Sequence, residues 1–375
     1  MSIRIVNVVG ARPNFMKIAP LMDQFATMPD IEPLLVHTGQ HYDERMSDLF
    51  FRQLQIPEPD INLGVGSGTH TEQTAQIMVA FEKVLAEHKP DAVLVVGDVN
   101  STIACGLVAV KMGIRLIHVE AGLRSFDRTM PEEINRILTD SISDLLFCTE
   151  ESGVENLRRE GVSGDRIHLV GNLMIDTLMK HKARADQSKI LDDLQLPAGG
   201  GGYAVLTLHR PSNVDEPAAL TRILDAVEVI QRDMPVIFPV HPRTRRNIEK
   251  MGLGERVSAM KHLRLAEPMG YLEFLKLTSC AKVILTDSGG IQEESIILGV
   301  PCLTLRFNTE RPVTVACGGS RLVGNDTQRI LTAYREVCGE GAKAGELPPL
   351  WDGNAGQRIA NILVEALSTQ PLMQV

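Results

Sequence analysis

Three carboxylates stand where apolar runs give way to loops. Asp98 follows the run 92–96, within Gly97-Asp98-Val99-Asn100-Ser101-Thr102, and Glu120 follows 115–119, within His118-Val119-Glu120-Ala121-Gly122-Leu123-Arg124-Ser125. Glu132 lies in Pro131-Glu132-Glu133-Ile134-Asn135-Arg136, which reads as a helix opening on proline. Carboxylates gathered out of water raise one another's proton affinity, so such a set can hold a general acid beside a general base. The chemistry this suits is abstraction of a proton from carbon with protonation of a leaving group. Plainer uses remain open: Asp98 as a helix cap, and Glu132 with Arg136 as a surface pair worth about 0.2–0.5 kcal/mol.

Other loops carry cations and glycines. The first apolar run ends in Gly10-Ala11-Arg12-Pro13-Asn14-Phe15-Met16-Lys17, which is neither a dinucleotide-binding glycine motif nor a phosphate-binding Walker loop. Arg12 and Lys17 offer two cations suited to a diphosphate, or two solvated charges on a turn. In Leu285-Thr286-Asp287-Ser288-Gly289-Gly290-Ile291-Gln292-Glu293-Glu294 a strand runs into a helix. Ser288, Gly289 and Gly290 there could let backbone N–H groups approach a phosphate, with Glu294 one turn on placed for ribose hydroxyls; a tight turn with a solvated Glu pair is the bland reading. Two further loops deliver His209 with Arg210 and His241 with Arg243, an anion-binding wall if they face Ser288. Arg311 follows the run 301–305, and Phe274 is either core or a ring for a base to stack on.

The elements that must position these residues are strands alternating with helices. Strand-like runs at 3–9, 33–37, 92–96, 115–119, 145–148 and 166–170 alternate with helical segments such as 72–87, 101–112 and 131–143. A second series follows at 203–208, 235–240, 263–266, 281–286, 301–305 and 321–323, with helices at 216–232 and 327–338. That is an α/β architecture of two doubly wound, Rossmann-like domains in tandem. Residues 1–172 form the first and 173–354 the second, entered through the glycines 199–202; residues 355–375 hold an amphipathic helix that could return to the first. Ligands of such sheets sit at the carboxyl ends of the strands, where the polar motifs fall.

Composition narrows the classes. A chain of 375 residues with 44% apolar and 23% charged residues has ample core, and a formal charge of −9 leaves no basic footprint for nucleic acid. No apolar run is long enough to span a bilayer and the start, Met-Ser-Ile-Arg-Ile-Val, has no leader pattern, so a cytoplasmic protein without a membrane partner is expected. The six cysteines and ten histidines are dispersed without ligand spacing, which predicts buried free thiols and no metal site.

Taken together, Gly10 to Pro13 with Lys17, Gly97-Asp98, His118 to Arg124, Pro131 to Arg136, His209-Arg210, Thr286 to Glu294 and Thr309-Glu310-Arg311-Pro312 resemble the bacterial non-hydrolysing UDP-N-acetylglucosamine 2-epimerases. The match runs in order over nearly the whole chain. The resemblance implies a GT-B-type fold with a UDP-sugar in the cleft, usually as a homodimer, and reversible conversion of UDP-GlcNAc to UDP-ManNAc for surface polysaccharide. In that mechanism UDP is eliminated with loss of the C2 proton to give 2-acetamidoglucal, then adds back; no nicotinamide or metal is required. The family's catalytic positions fall on Asp98, Glu120, Glu132 and His209, with the base unassigned among the carboxylates. Substrate contacts fall on Arg12, Lys17, Arg136, Phe274, Ser288, Gly289, Gly290, Glu294 and Arg311, beside the loop residues Arg210 and His241.

Differences from the family pattern are local. Asn14 stands where many members carry Glu, and Val313 likewise. In the subgroup activated by a second UDP-GlcNAc a Gln-His-x-Gln stretch is used; here it reads Gln40-His41-Tyr42-Asp43, with Gln76 in the place of an arginine, so Gln40 and His41 are the retained allosteric positions. Rival readings are a 2-epimerase of a UDP-2,3-diacetamido-uronic acid, a hydrolysing epimerase, a GT-B glycosyltransferase and a catalytically silent UDP-sugar sensor.

Overall fold

The computed structural model describes residues 2–39, 53–197, 202–339 and 345–368, with Arg12 described for its backbone alone. The chain divides into two compact units, Met1–Lys180 with Pro349–Val375, and His181–Pro348. The expected boundary at 172/173 precedes the helix Leu173–Ala185, whereas the units divide within that helix.

In the first unit the described strands are β1 (Ile3–Val9), β2 (Ile31–His37), β3 (Ile61–Asn62), β4 (Ala92–Val96), β5 (Arg115–Val119), β6 (Leu145–Cys148) and β7 (Ile167–Leu169). They form a parallel sheet ordered β3-β2-β1-β4-β5-β6-β7. β1 and β4 are rich in branched apolar residues because helices cover both faces of a parallel sheet, and all of β4 is buried. The strand order reverses between β1 and β4, the point where such sheets open a crevice at their carboxyl ends. Gly10, Gly97 and Glu120 are the residues that follow β1, β4 and β5.

The second unit repeats the plan with β8 (Ala204–Thr207), β9 (Val236–Pro239), β10 (Leu263–Ala266), β11 (Val283–Thr286), β12 (Cys302–Thr304) and β13 (Ser320–Leu322), ordered β10-β9-β8-β11-β12-β13. Here the reversal lies between β8 and β11, so His209 and Asp287 emerge side by side. One face of this sheet packs on the helices Pro217–Asp233 and Thr327–Cys338 through Leu220, Ile223, Val227, Ile330 and Tyr334. The other face holds Tyr203, whose hydroxyl donates to Leu277 O at 2.6 Å. The doubly wound α/β expectation is met twice.

The helix Ala355–Ser368 lies on the first unit, against the helix Arg12–Phe25. Asp176 caps this helix from a distance in sequence, accepting from Ala355 N at 3.2 Å and Gly356 N at 2.7 Å. Burial pushes the Asp176 carboxyl up. Of the free cysteines, Cys105, Cys148 and Cys302 are buried as expected, whereas Cys280, Cys317 and Cys338 are only half-buried. Among the described residues no helix is long and apolar enough to cross a membrane, and no cluster of His, Cys, Asp and Glu is arranged to hold a metal ion.

Candidate functional site

The first unit gathers its charges around Gly97. Gly97 adopts φ +70°, and a Cβ there would lie 3.3 Å from Lys17 Nζ and 3.4 Å from Glu120 Oε2, so a side chain would crowd the pair. Glu120 itself sits at φ +73°, a conformation that costs about 1–3 kcal/mol in a residue other than glycine. Its backbone is fixed there by Glu120 N and Ala121 N, both donating to Phe147 O at 3.0 Å. The Lys17 ammonium, itself buried, donates to the Glu120 carboxylate. Asn14, one turn before Lys17, accepts from Gly10 N and Ala11 N and donates through Nδ2 to Val96 O at 2.9 Å. A Glu at this position would have no proton to give Val96.

Asp98, one residue after Gly97, is about one-third exposed and pairs with Arg136. Arg136 is buried and also binds Glu133, with Nη2 to Oε2 at 2.6 Å. Glu133 further accepts from Ser125 N at 2.9 Å and Phe126 N at 2.8 Å. Burial alone would raise the Glu133 carboxyl, but these N–H groups and Arg136 outweigh it and hold it below the usual range. The structure thus replaces the sequence-based pair of Glu132 with Arg136 by Glu133 with Arg136. Glu132, on the first turn of the helix Pro131–Ile142, is half-buried, and its side chain makes no hydrogen bond or ion pair with any described residue. Asp98 and Glu120 are each paired with a cation.

In the second unit one buried acid organises the loop after β8. Asp287 accepts from His209 N at 3.1 Å, Arg210 N at 3.0 Å, Asn213 Nδ2 at 3.2 Å and the His209 ring at Nδ1, 2.9 Å. Burial by itself would raise this carboxyl, yet His209 and the N–H donors hold it low. With Nδ1 taken, Nε2 is the ring atom of His209 left to face outward, and the side chain is 47% exposed. Asp287 was legible as part of the strand-to-helix stretch but not as the anchor of His209.

Ser288 is the N-cap of the helix Gly289–Leu298 and makes no side-chain cap bond. A Cβ on Gly289 would lie 2.7 Å from Arg311 Nη1 and 2.9 Å from Glu310 Oε1, so a side chain there would displace the ends of both. Behind it, Arg311 binds Glu293 at 2.7 Å and also pairs with Glu310, which Arg306 grips at 2.6 Å. Burial would raise the Glu310 carboxyl, but Arg311 and Arg306 hold it far below the usual range. Glu294 is buried and accepts from Tyr271 OH at 3.1 Å.

The remaining expected site residues are less gathered. Phe274 is half-buried and packs on the core around Leu277. His241 is exposed and accepts from Arg243 N at 3.2 Å as the cap of its own helix, while Arg243 turns to Asp215 and Arg245 to Glu267. Gln40 and His41 lie outside the described residues.

Comparison with known proteins shows the family. The family model described as UDP-N-acetylglucosamine 2-epimerase matches residues 23–364, and the chain belongs to this family of isomerases. The UDP-N-acetylglucosamine 2-epimerase of Methanocaldococcus jannaschii is 42% identical over 95% of this chain and 97% of its own length. Its crystal structure in complex with UDP-GlcNAc and UDP superposes with a TM-score of 0.89 at 41% identity, covering 97% of this chain and all of that one. The UDP-2,3-diacetamido-2,3-dideoxy-D-glucuronate 2-epimerase of Pseudomonas aeruginosa is 40% identical over 96% of this chain and 99% of its own. Relatives are archaeal as well as bacterial, so the bacterial restriction in the sequence-based resemblance is too narrow.

Proposed function

We propose that this protein interconverts UDP-GlcNAc and UDP-ManNAc without hydrolysis, by anti elimination of UDP to 2-acetamidoglucal and its re-addition. The observation that carries the reading is Glu120: a buried carboxylate in a strained conformation, tethered to Lys17 beside the glycine that precedes Asp98. Strain of this kind persists where a fixed aim is needed. Asp98, Glu120 and Glu132 supply proton removal from C2 and its return on the opposite face, with Arg136 holding Asp98. When the proton leaves C2, the C1–O bond to UDP breaks and its electron pair departs with the diphosphate. His209, oriented through Nδ1 by Asp287, offers Nε2 to that developing charge. Beside Ser288, Gly289 and Gly290 present N–H groups to the phosphates, Arg12, Arg210 and Arg311 add positive charge, His241 adds a ring N–H, Glu294 takes the ribose and Phe274 the uracil. The protein works as a cytoplasmic homodimer in this reading.

Proton NMR with UDP-GlcNAc in deuterated water tests it, since product and isotope are read together. UDP-ManNAc bearing deuterium at C2 is the expected product. Free ManNAc with UDP would place the protein among hydrolysing enzymes. Turnover of UDP-2,3-diacetamido-uronic acid in place of UDP-GlcNAc would move it to the substrate of its Pseudomonas relative.

A further inference from the structure

The loop that carries Asp98 is held by its carbonyl groups. Val96 O accepts from Asn14 Nδ2 at 2.9 Å and Thr102 Oγ1 at 3.1 Å, and Asp98 O accepts from Asn135 Nδ2 at 2.9 Å. Between them Gly97 has the most permissive backbone of any residue type, and its φ of +70° makes that freedom necessary. What removes the freedom again is His118, fully buried on β5, whose Nε2 lies 2.8 Å from Gly97 O.

We propose that His118 is a positioning residue: its ring fixes the Gly97 carbonyl, and so the direction in which Asp98 projects, from a strand that ends one residue before Glu120. The proposal rests on the epimerase assignment. A carbonyl oxygen only accepts, so Nε2 is the donor. Nδ1 lies 2.6 Å from Asp140 Oδ1, and Asp140 is fully buried as well. Asp140 also takes Arg124 Nη1 at 2.7 Å and Gly122 N at 3.0 Å, and Arg124 runs on to Glu160 with Nη2 to Oε2 at 2.6 Å. Burial alone would raise the Asp140 carboxyl, but His118 and Arg124 outweigh it and hold it below the usual range. With Nε2 set against Gly97 O and Nδ1 against Asp140 Oδ1, the ring has no rotational choice. One imidazole links the loop that bears Asp98 to the strand that delivers Glu120.

Two substitutions separate the bond to Gly97 from the bond to Asp140. An asparagine amide falls near the place of Nδ1 and a glutamine amide near that of Nε2, so His118→Asn keeps a donor for Asp140 and His118→Gln keeps one for Gly97. The expected result is that kcat falls about a hundredfold in His118→Asn with KM unchanged, because small misplacement of a catalytic group has that effect. His118→Gln should recover most of the rate while being the less stable of the two by thermal unfolding. Rates that track stability instead, a rise in KM in place of the fall in kcat, or wild-type rates in both variants would overturn the proposal. Nitrogen-15 NMR of the His118 ring in the wild-type protein gives a check independent of variant folding. A proton on Nε2 is expected, and a bare Nε2 refutes the bond to Gly97. If the wild type does not epimerise UDP-GlcNAc, the assignment has failed, while the ring spectrum still decides whether His118 holds Gly97.

Discussion

The two units share a strand order and reverse it at the same place, yet they use charge in opposite senses. In the first, the groups assigned to the chemistry are acids, Asp98 and Glu120, and the residues behind them are bases, Arg136 and Lys17. In the second, the groups assigned to the ligand are bases, His209, Arg210 and Arg311, and the residues behind them are acids, Asp287, Glu310 and Glu293. A charge at a strand end is thus held by an opposite charge within the same unit. That arrangement limits the desolvation penalty of burial and fixes direction as well.

Breaking the first pattern should give the largest effect. Glu120→Gln is expected to lower kcat by about a thousandfold, within the range for a lost general acid or base, while UDP binding by calorimetry stays near wild type. Unchanged turnover would remove Glu120 from the mechanism. The adjacent glutamates then divide the roles: Glu132→Gln should abolish C2 deuterium exchange with little change in Tm. Glu133→Gln should cost about 3 kcal/mol of stability, because it takes from a buried arginine the more deeply buried of its two carboxylate partners. Chemical denaturation of the two variants side by side shows whether that division holds.

Smaller effects belong to the second unit. Gly289→Ala places a methyl against the Arg311 guanidinium, whose far end can shift, so about a tenfold rise in KM for the UDP-sugar is expected with kcat nearly kept. A fall in kcat alone would mean that this turn does not touch the nucleotide. A pH dependence belongs to the first unit. Burial pushes the His37 ring down to about 4, so the folded state binds its proton less readily than the unfolded chain. Its contribution to stability is complete above the unfolded value near 6.5 and is lost as pH falls toward 4. The loss amounts to at most about 3 kcal/mol. Urea titrations at pH 7 and pH 5 should show it, and His37→Phe should flatten the difference.

Much of this was legible because strands buried on both faces leave long apolar runs, and the carboxylates follow them directly. β3 was not, being two residues long. The choice between Glu132 and Glu133 was hidden because the helix Pro131–Ile142 buries a polar stripe of Glu133, Arg136, Thr139 and Asp140 and leaves Leu138 46% exposed. Apolar periodicity points to the wrong face there. The only available signal was the spacing of charges three and seven residues after Glu133. Likewise His118 sits in an apolar strand as any core residue would, and only the approach of Gly97 and Asp140, distant in sequence, gives it meaning. Asp176 as the cap of the last helix is invisible for the same reason.

That last helix has a consequence for how the chain is made. Contacts of Ala355–Ser368 with Arg12–Phe25 join segments more than three hundred residues apart, so the first unit cannot be completed until the end of the chain has been synthesised. The second unit, uninterrupted in sequence, can mature earlier, which reverses the usual order in which the leading domain settles first. Translation intermediates arrested after Pro348 are predicted to resist protease over His181–Pro348 and to remain digestible before it; early protection of the leading segment would show that the first unit holds without its closing helix.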